Sequence, residues 1–172
     1  MATITLSTSK KDVIITMMGT GSASINWGDN NIENYTLSNT TVTQCKHSYE
    51  VGRLPRLVSF TITITGNGIT VLGCSKNELT ALTLKDCTSL TWLGCYSNLL
   101  TTLDVSECPA LETLACANNT LNSLNINGCR RLITLSCHHN QLTSLLLKGT
   151  GKLTTKLKPL EPEPKLWQSF LF

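Results

Sequence analysis

The sequence predicts a mainly β protein: a short solenoid of stacked coils with a parallel sheet on its concave face, preceded by a small β-sandwich-like unit. Two observations predict it. From Ile69 onward, residue types recur every 21 positions: Cys74, Cys95, Cys116 and Cys137; Asn77, Asn98, Asn119 and Asn140; and Cys87, Cys108 and Cys129. A fixed period of this length is the mark of a repeat architecture. Before Ile69, short apolar runs alternate with turn residues, the pattern of half-buried strands.

The first 68 residues carry ATITLSTS, DVIITMM, SASINW, ENYTLS and RLVSFTITITG between Gly, Asn and Asp turns, and read as a small all-β cap domain. Residues 69–155 form the solenoid. In register its units are ITVLGCSKNEL, LTWLGCYSNLL, LETLACANNTL and LITLSCHHNQL, each followed by a second half such as TALTLKDCTS or TTLDVSECPA. About four to five coils are expected. Leu93 and Cys95 alternate about Gly94, giving a short strand with its apolar side inward, and parallel coils stack at about 4.8 Å. One coil cannot bury its own inner face, so neighbours must. The four asparagines leave the strand into a turn, where a buried amide needs backbone partners on adjacent coils. Leu82 with Leu84, Leu103 with Val105, Leu124 with Ile126 and Leu145 with Leu147 line the opposite wall.

The unit L-x-x-L-x-C-x-x-N-x-L resembles the leucine-rich repeat signature with Cys at one Leu position, over about Ile69 to Leu153. The 21-residue length and the second half L-T-x-L-x-L-x-x-C are similar to internalin-like surface repeats of gut Bacteroidetes. Trp27-Gly28-Asp29, with His47-Ser48-Tyr49 and the strand Phe60 to Ile64, resembles the W-G-D-G and H-x-Y pattern of polycystic-kidney-disease-like domains. Asn30 stands where that family has Gly. The resemblance implies that Asp29 and His47 tie a turn to a neighbouring strand, that Trp27 fills the core, and that the unit serves as spacer or adhesion module. It also implies a cell-surface or secreted bacterial adhesion protein that binds a protein or glycan through its solenoid.

Eight cysteines invite sharper chemistry. Zinc takes four convergent ligands, commonly two to four residues apart in pairs, and here no two cysteines are closer than eight. Disulfides need a specific Cβ separation and orientation, whereas stacked coils point like positions in parallel. Buried, reduced thiols packed as small hydrophobes are the expectation. Cys45 lies outside both ladders and receives no role. His138 and His139 are adjacent, so on an extended segment they point apart, and Cys137 faces inward. No metal, no cofactor and no enzymatic activity are expected.

The outward positions form columns on the concave face: Val71, Trp92, Thr113, Thr134; Gly73, Gly94, Ala115, Ser136; and Ser75, Tyr96, Ala117, His138. Trp92 and Tyr96 edge a shallow trough, with Lys76, Asn118, His138 and His139 as polar candidates. Aromatics beside small residues suit an interface anchor or a sugar-stacking platform. The period breaks at residues 156–172, where Lys156, Lys158, Pro159, Pro162 and Pro164 interrupt it. There Trp167, Phe170 and Phe172 are candidates to cap the last coil or to join sister chains.

At 41% hydrophobic, 15% charged and +3 in 172 residues, the composition argues against disorder and nucleic-acid binding, and no apolar run is long enough to span a bilayer. The expected location is extracellular or cell-surface if a signal peptide has been removed, and cytoplasmic otherwise. Two readings stay open: a recognition or adhesion protein acting through the solenoid face, and an assembly module that self-associates through its repeats or hydrophobic tail.

Overall fold

The computed structural model describes residues 1–50 and 58–143. The candidates Trp167, Phe170 and Phe172, with Leu145, Leu147 and the tail, lie outside the described residues. Among the described residues there is no helix. Six strands come first: β1 (Ala2–Thr8), β2 (Asp12–Gly19), β3 (Ser22–Asn26), β4 (Ile32–Thr36), β5 (Thr43–Ser48) and β6 (Phe60–Gly66). Seven follow: β7 (Ile69–Gly73), β8 (Leu79–Lys85), β9 (Trp92–Gly94), β10 (Thr102–Asp104), β11 (Thr113–Ala115), β12 (Ser123–Asn125) and β13 (Thr134–Ser136).

Alternation sets which side of each strand is buried. In β2, Val13, Ile15 and Met17 are buried while Asp12 and Ile14 are exposed; in β6, Ile62 and Ile64 are buried. From β9 on the strands shorten to three residues, and β9, β11 and β13 each bury their central leucine: Leu93, Leu114 and Leu135. These pair in parallel with a constant 21-residue offset, Leu72 to Leu93 to Leu114 to Leu135, giving a β-solenoid of about three turns.

The sheets do not stop where the repeat begins. One runs β4-β3-β6-β1-β8 and another β13-β11-β9-β7-β2-β5, with a two-stranded parallel sheet of β10 and β12 on the wall opposite the latter. The first coil supplies β7 and β8, and each pairs antiparallel with an N-terminal strand, β7 with β2 and β8 with β1. A single hydrophobic cluster therefore runs from Ile4 and Trp27 through to Leu135 and Cys137.

The asparagines hold the coils together. The Asn119 amide donates to the carbonyls of Cys116 in its own coil (3.1 Å) and Cys95 in the preceding one (3.0 Å), while its Oδ1 accepts from the Leu100 N–H (3.1 Å). Asn98 repeats this one coil earlier on Cys95, Cys74 and Leu79, and Asn140 one coil later on Cys137, Cys116 and Leu121. Asn77 belongs to the first coil and has no preceding coil to grip. Its Oδ1 accepts from the Ile14 N–H (3.1 Å) and its Nδ2 donates to the Ile14 carbonyl (2.7 Å), so β2 supplies the backbone that a preceding coil would. The Thr8 hydroxyl donates to the Asn77 carbonyl at 2.6 Å from the β1 side.

Because a stranded buried polar group costs about 1–3 kcal/mol, Asn119→Ala, which strands several at once, is expected to lower stability by roughly 3 kcal/mol. The exposed Asn122→Ala should change it by less than about 0.5 kcal/mol. Urea unfolding of both variants at equal m-value checks this; similar midpoints for the two would remove the amide from its structural role.

Candidate functional site

The outer face of the six-stranded sheet is built by register. Trp92 stands between Val71 and Thr113, the row continuing to Thr134 on one side and to Met18 of β2 on the other. The next row reads Gln44, Thr16, Gly73, Gly94, Ala115, Ser136. Ile14 and Lys46 pair beside these. Sequence reasoning placed Trp92 and the small column but missed Met18, Thr16, Ile14, Gln44 and Lys46. The alternation of DVIITMM does turn Asp12, Ile14, Thr16 and Met18 to one side; the pairing of β2 with β7 is what puts that side on this face.

Trp92 is half-buried and lies against the floor. A β-carbon at Gly94 would meet Cη2 of its indole, with Cζ3 at 2.7 Å and Cζ2 at 3.3 Å, and one at Gly73 would stand 3.8 Å from Cζ3. The six-membered ring thus covers Gly94 and reaches toward Gly73. Gly94, Ala115, Ala117 and Ser136 are buried rather than open, so the small column is a filled floor and not a trough. Tyr96 is half-buried at the end of the same segment.

Lys76, Asn118 and His139 prove to share one backbone position with Ser97. All four have positive φ, at 59°, 54°, 53° and 54° respectively, and each immediately precedes a ladder asparagine. L-residues enter this region at a cost of roughly 1–2 kcal/mol; here the turn is held by N–H groups donating one coil onward, Lys76 to Tyr96, Ser97 to Ala117 and Asn118 to His138. The side chains of Lys76, Asn118 and His139 are exposed along the border of the face, and that of Ser97 is half-buried. His139 is therefore not extended, contrary to the expectation for adjacent histidines, and the turn brings the rings of His138 and His139 to 4.9 Å, edge to face. His138 Nδ1 lies 3.1 Å from Ser136 Oγ and His139 Nδ1 lies 2.9 Å from Asn118 Oδ1.

The remaining reactive groups are engaged in structure. All eight cysteines are buried and free. Burial pushes the Cys74 and Cys45 thiols up to about 12, and those of Cys95 and Cys116 well above their ordinary value. In the second ladder a hydrogen bond between Cys108 and Cys87 lowers Cys87 and raises Cys108, while burial pushes Cys129 up to about 11. Among the described residues no three metal-ligating side chains gather into a cluster. On the opposite wall a groove between β8 and β10 holds two carboxylates: Asp104 accepts from Ser106 N–H and the Asn125 amide, and Glu107 from Asp86 N–H.

At the far end Trp27, His47, Tyr49 and Phe60 form a chain of ring contacts: Trp27 lies nearly parallel to His47 at 4.7 Å, His47 meets Tyr49 edge to face, and Tyr49 stacks on Phe60. Tyr49 donates to the Trp27 carbonyl at 2.7 Å. Asp29 Oδ2 sits 2.7 Å from His47 Nε2, joining the turn after β3 to β5. Gly28, at φ 84°, allows that turn, since a β-carbon there would come within 2.5 Å of the Thr61 carbonyl oxygen. Burial alone would raise the Asp29 carboxyl, but hydrogen bonds from His47 and the Asn31 N–H, with the His47 charge, hold it below its usual 3.8.

Two outcomes follow. Gly94→Ala should lift the Trp92 indole from the floor and red-shift the emission, a change absent in a Trp92→Phe background. A depressed carboxylate contributes stability present above its unfolded pKa and lost as pH falls through the folded one. The urea midpoint should therefore drop between about pH 5 and about pH 2, and drop less in Asp29→Asn; equal losses in both would detach Asp29 from acid sensitivity.

Compared with protein-family models, with curated proteins and with solved structures, the chain matches none.

Proposed function

We propose that the chain is a non-enzymatic recognition protein that binds a protein or glycan partner through the outer face of its solenoid sheet. In this reading the solenoid is a leucine-rich repeat of the internalin-like surface type, and the N-terminal strands are a polycystic-kidney-disease-like cap and spacer at a cell surface. The observation that carries the proposal is the Trp92 indole laid across Gly94 toward Gly73, with Tyr96 on the same segment and His138 hydrogen-bonded to Ser136 two coils on. An aromatic held against a hydrogen-bonded sheet loses little entropy on binding, which is the property of an interface anchor. An enzyme is the weaker reading, because the Asp29–His47 pair braces a turn and the carboxylates Asp104 and Glu107 are engaged by neighbouring groups.

The test is binding of the full chain to an array of glycans and extracellular-matrix proteins, beside a Trp92→Ala/Tyr96→Ala variant whose folding is verified by its urea midpoint. Binding lost in the variant is expected. Binding retained moves the site off this face, and a blank array with a stable dimer in solution replaces recognition by assembly.

A further inference from the structure

The cross-strand rows extend the face beyond the repeats. Met18 and Thr16 of β2 are in register with Val71 and Gly73, and Thr16 and Ile14 with Gln44 and Lys46 of β5. The face thus spans six strands, five spacings of about 4.8 Å or roughly 24 Å. Its chemistry is uniform along that length. Gln44, Thr16, Thr113 and Thr134 place an amide and hydroxyls in rows, among the apolar Met18, Val71 and Ile14. Charge is sparse: Lys46 is exposed on β5, and Asp12 on β2 accepts from the Ser48 hydroxyl at 2.6 Å.

We infer that this face recognises an uncharged glycan chain lying across the strands, with β2 and β5 forming part of the site. This deepens the recognition reading above and rests on it. Three features select the ligand. A surface whose few charges, Lys46, Asp12 and the border Lys76, are scattered and of both signs offers no charge complementarity to a polyanion, nor to an acidic or basic peptide. The floor of Gly73, Gly94, Ala115 and Ala117 is filled, leaving no pocket there of the kind that takes a protein hot-spot side chain. The rows of hydroxyl and amide groups both donate and accept, which matches the hydroxyls of a sugar, while the Trp92 ring lies along the floor as a sugar's apolar face requires.

The experiment is affinity electrophoresis of the full chain through gels carrying neutral polysaccharides (a β-glucan, a xylan and a mannan), with heparin as the polyanion. The variants are Trp92→Ala and the β5 pair Gln44→Ala/Lys46→Ala. The expected result is retardation by at least one neutral polysaccharide, lost in Trp92→Ala and weakened about fivefold or more in the β5 pair, with circular dichroism unchanged. Full retention in the β5 pair would overturn the extension while the solenoid-face reading stood. Retardation by heparin alone would overturn the uncharged ligand. No retardation by any neutral polysaccharide, beside Trp92-dependent capture of a matrix protein on the array, would overturn the glycan and leave recognition intact; loss of both would overturn the recognition reading itself.

Discussion

The carboxamide of Asn77 holds the Ile14 backbone by its oxygen and its nitrogen, and each later asparagine repeats the grip on the coil before it. A primary amide carries two donors and an acceptor in one plane, so a single side chain can satisfy carbonyls of two coils and an N–H of one. That is what a solenoid turn requires. Where the chain leaves a three-residue strand its backbone groups lose their ladder partners while remaining buried, and an unpaired buried group is costly. The amide supplies the missing partners without adding bulk, and the left-handed residue ahead of it turns the chain so that the amide points inward.

The size of the interior follows from this turn. Each coil is narrow, its inner positions taken by one leucine and one cysteine per short strand, with Leu103, Val105 and Ile126 facing them across the core. Cysteine suits the second inner position because it is small and apolar when buried; burial raises the thiols of Cys74, Cys95, Cys116, Cys129 and Cys137, while the hydrogen bond between Cys87 and Cys108 lowers the first and, with burial, raises the second. A coil of this width has no core of its own. Stability must come from neighbours, and at the N-terminal end the neighbours are antiparallel strands. β1 and β2 pair with β8 and β7, so the aromatic cluster around Trp27 and the leucines of the last described coil belong to one body.

The same continuity shapes the outer face. The solenoid strands turn alternate residues outward, and here β2 and β5 add their own in register, so the outer face is longer than the repeats alone provide. Near the centre Trp92 lies on glycines, and only glycine leaves room for an indole that close to a sheet. The border residues Lys76, Asn118 and His139 combine an exposed side chain with a backbone constraint, so their side chains project from fixed positions.

Much of the architecture was legible in the amino-acid order. A period of 21 with leucine, cysteine and asparagine in constant places determines that strands stack in parallel, which residues face inward, and that the asparagines form a column, because stacking identical coils superposes identical positions. Alternation in DVIITMM and FTITITG determines which side of each early strand is buried. What the order could not determine is anything that depends on which edges meet. That β2 stands beside β7 and lends Ile14 to Asn77, that β5 (Thr43–Ser48) is a strand at all, and that Met18 and Thr16 share a face with Trp92 are pairings between segments far apart in the chain. A strand's pattern specifies its two faces but not its neighbours, since every strand edge offers the same N–H and C=O groups. Tertiary packing made that choice by finding the arrangement in which the first coil's open end and the buried faces of the N-terminal strands are covered together.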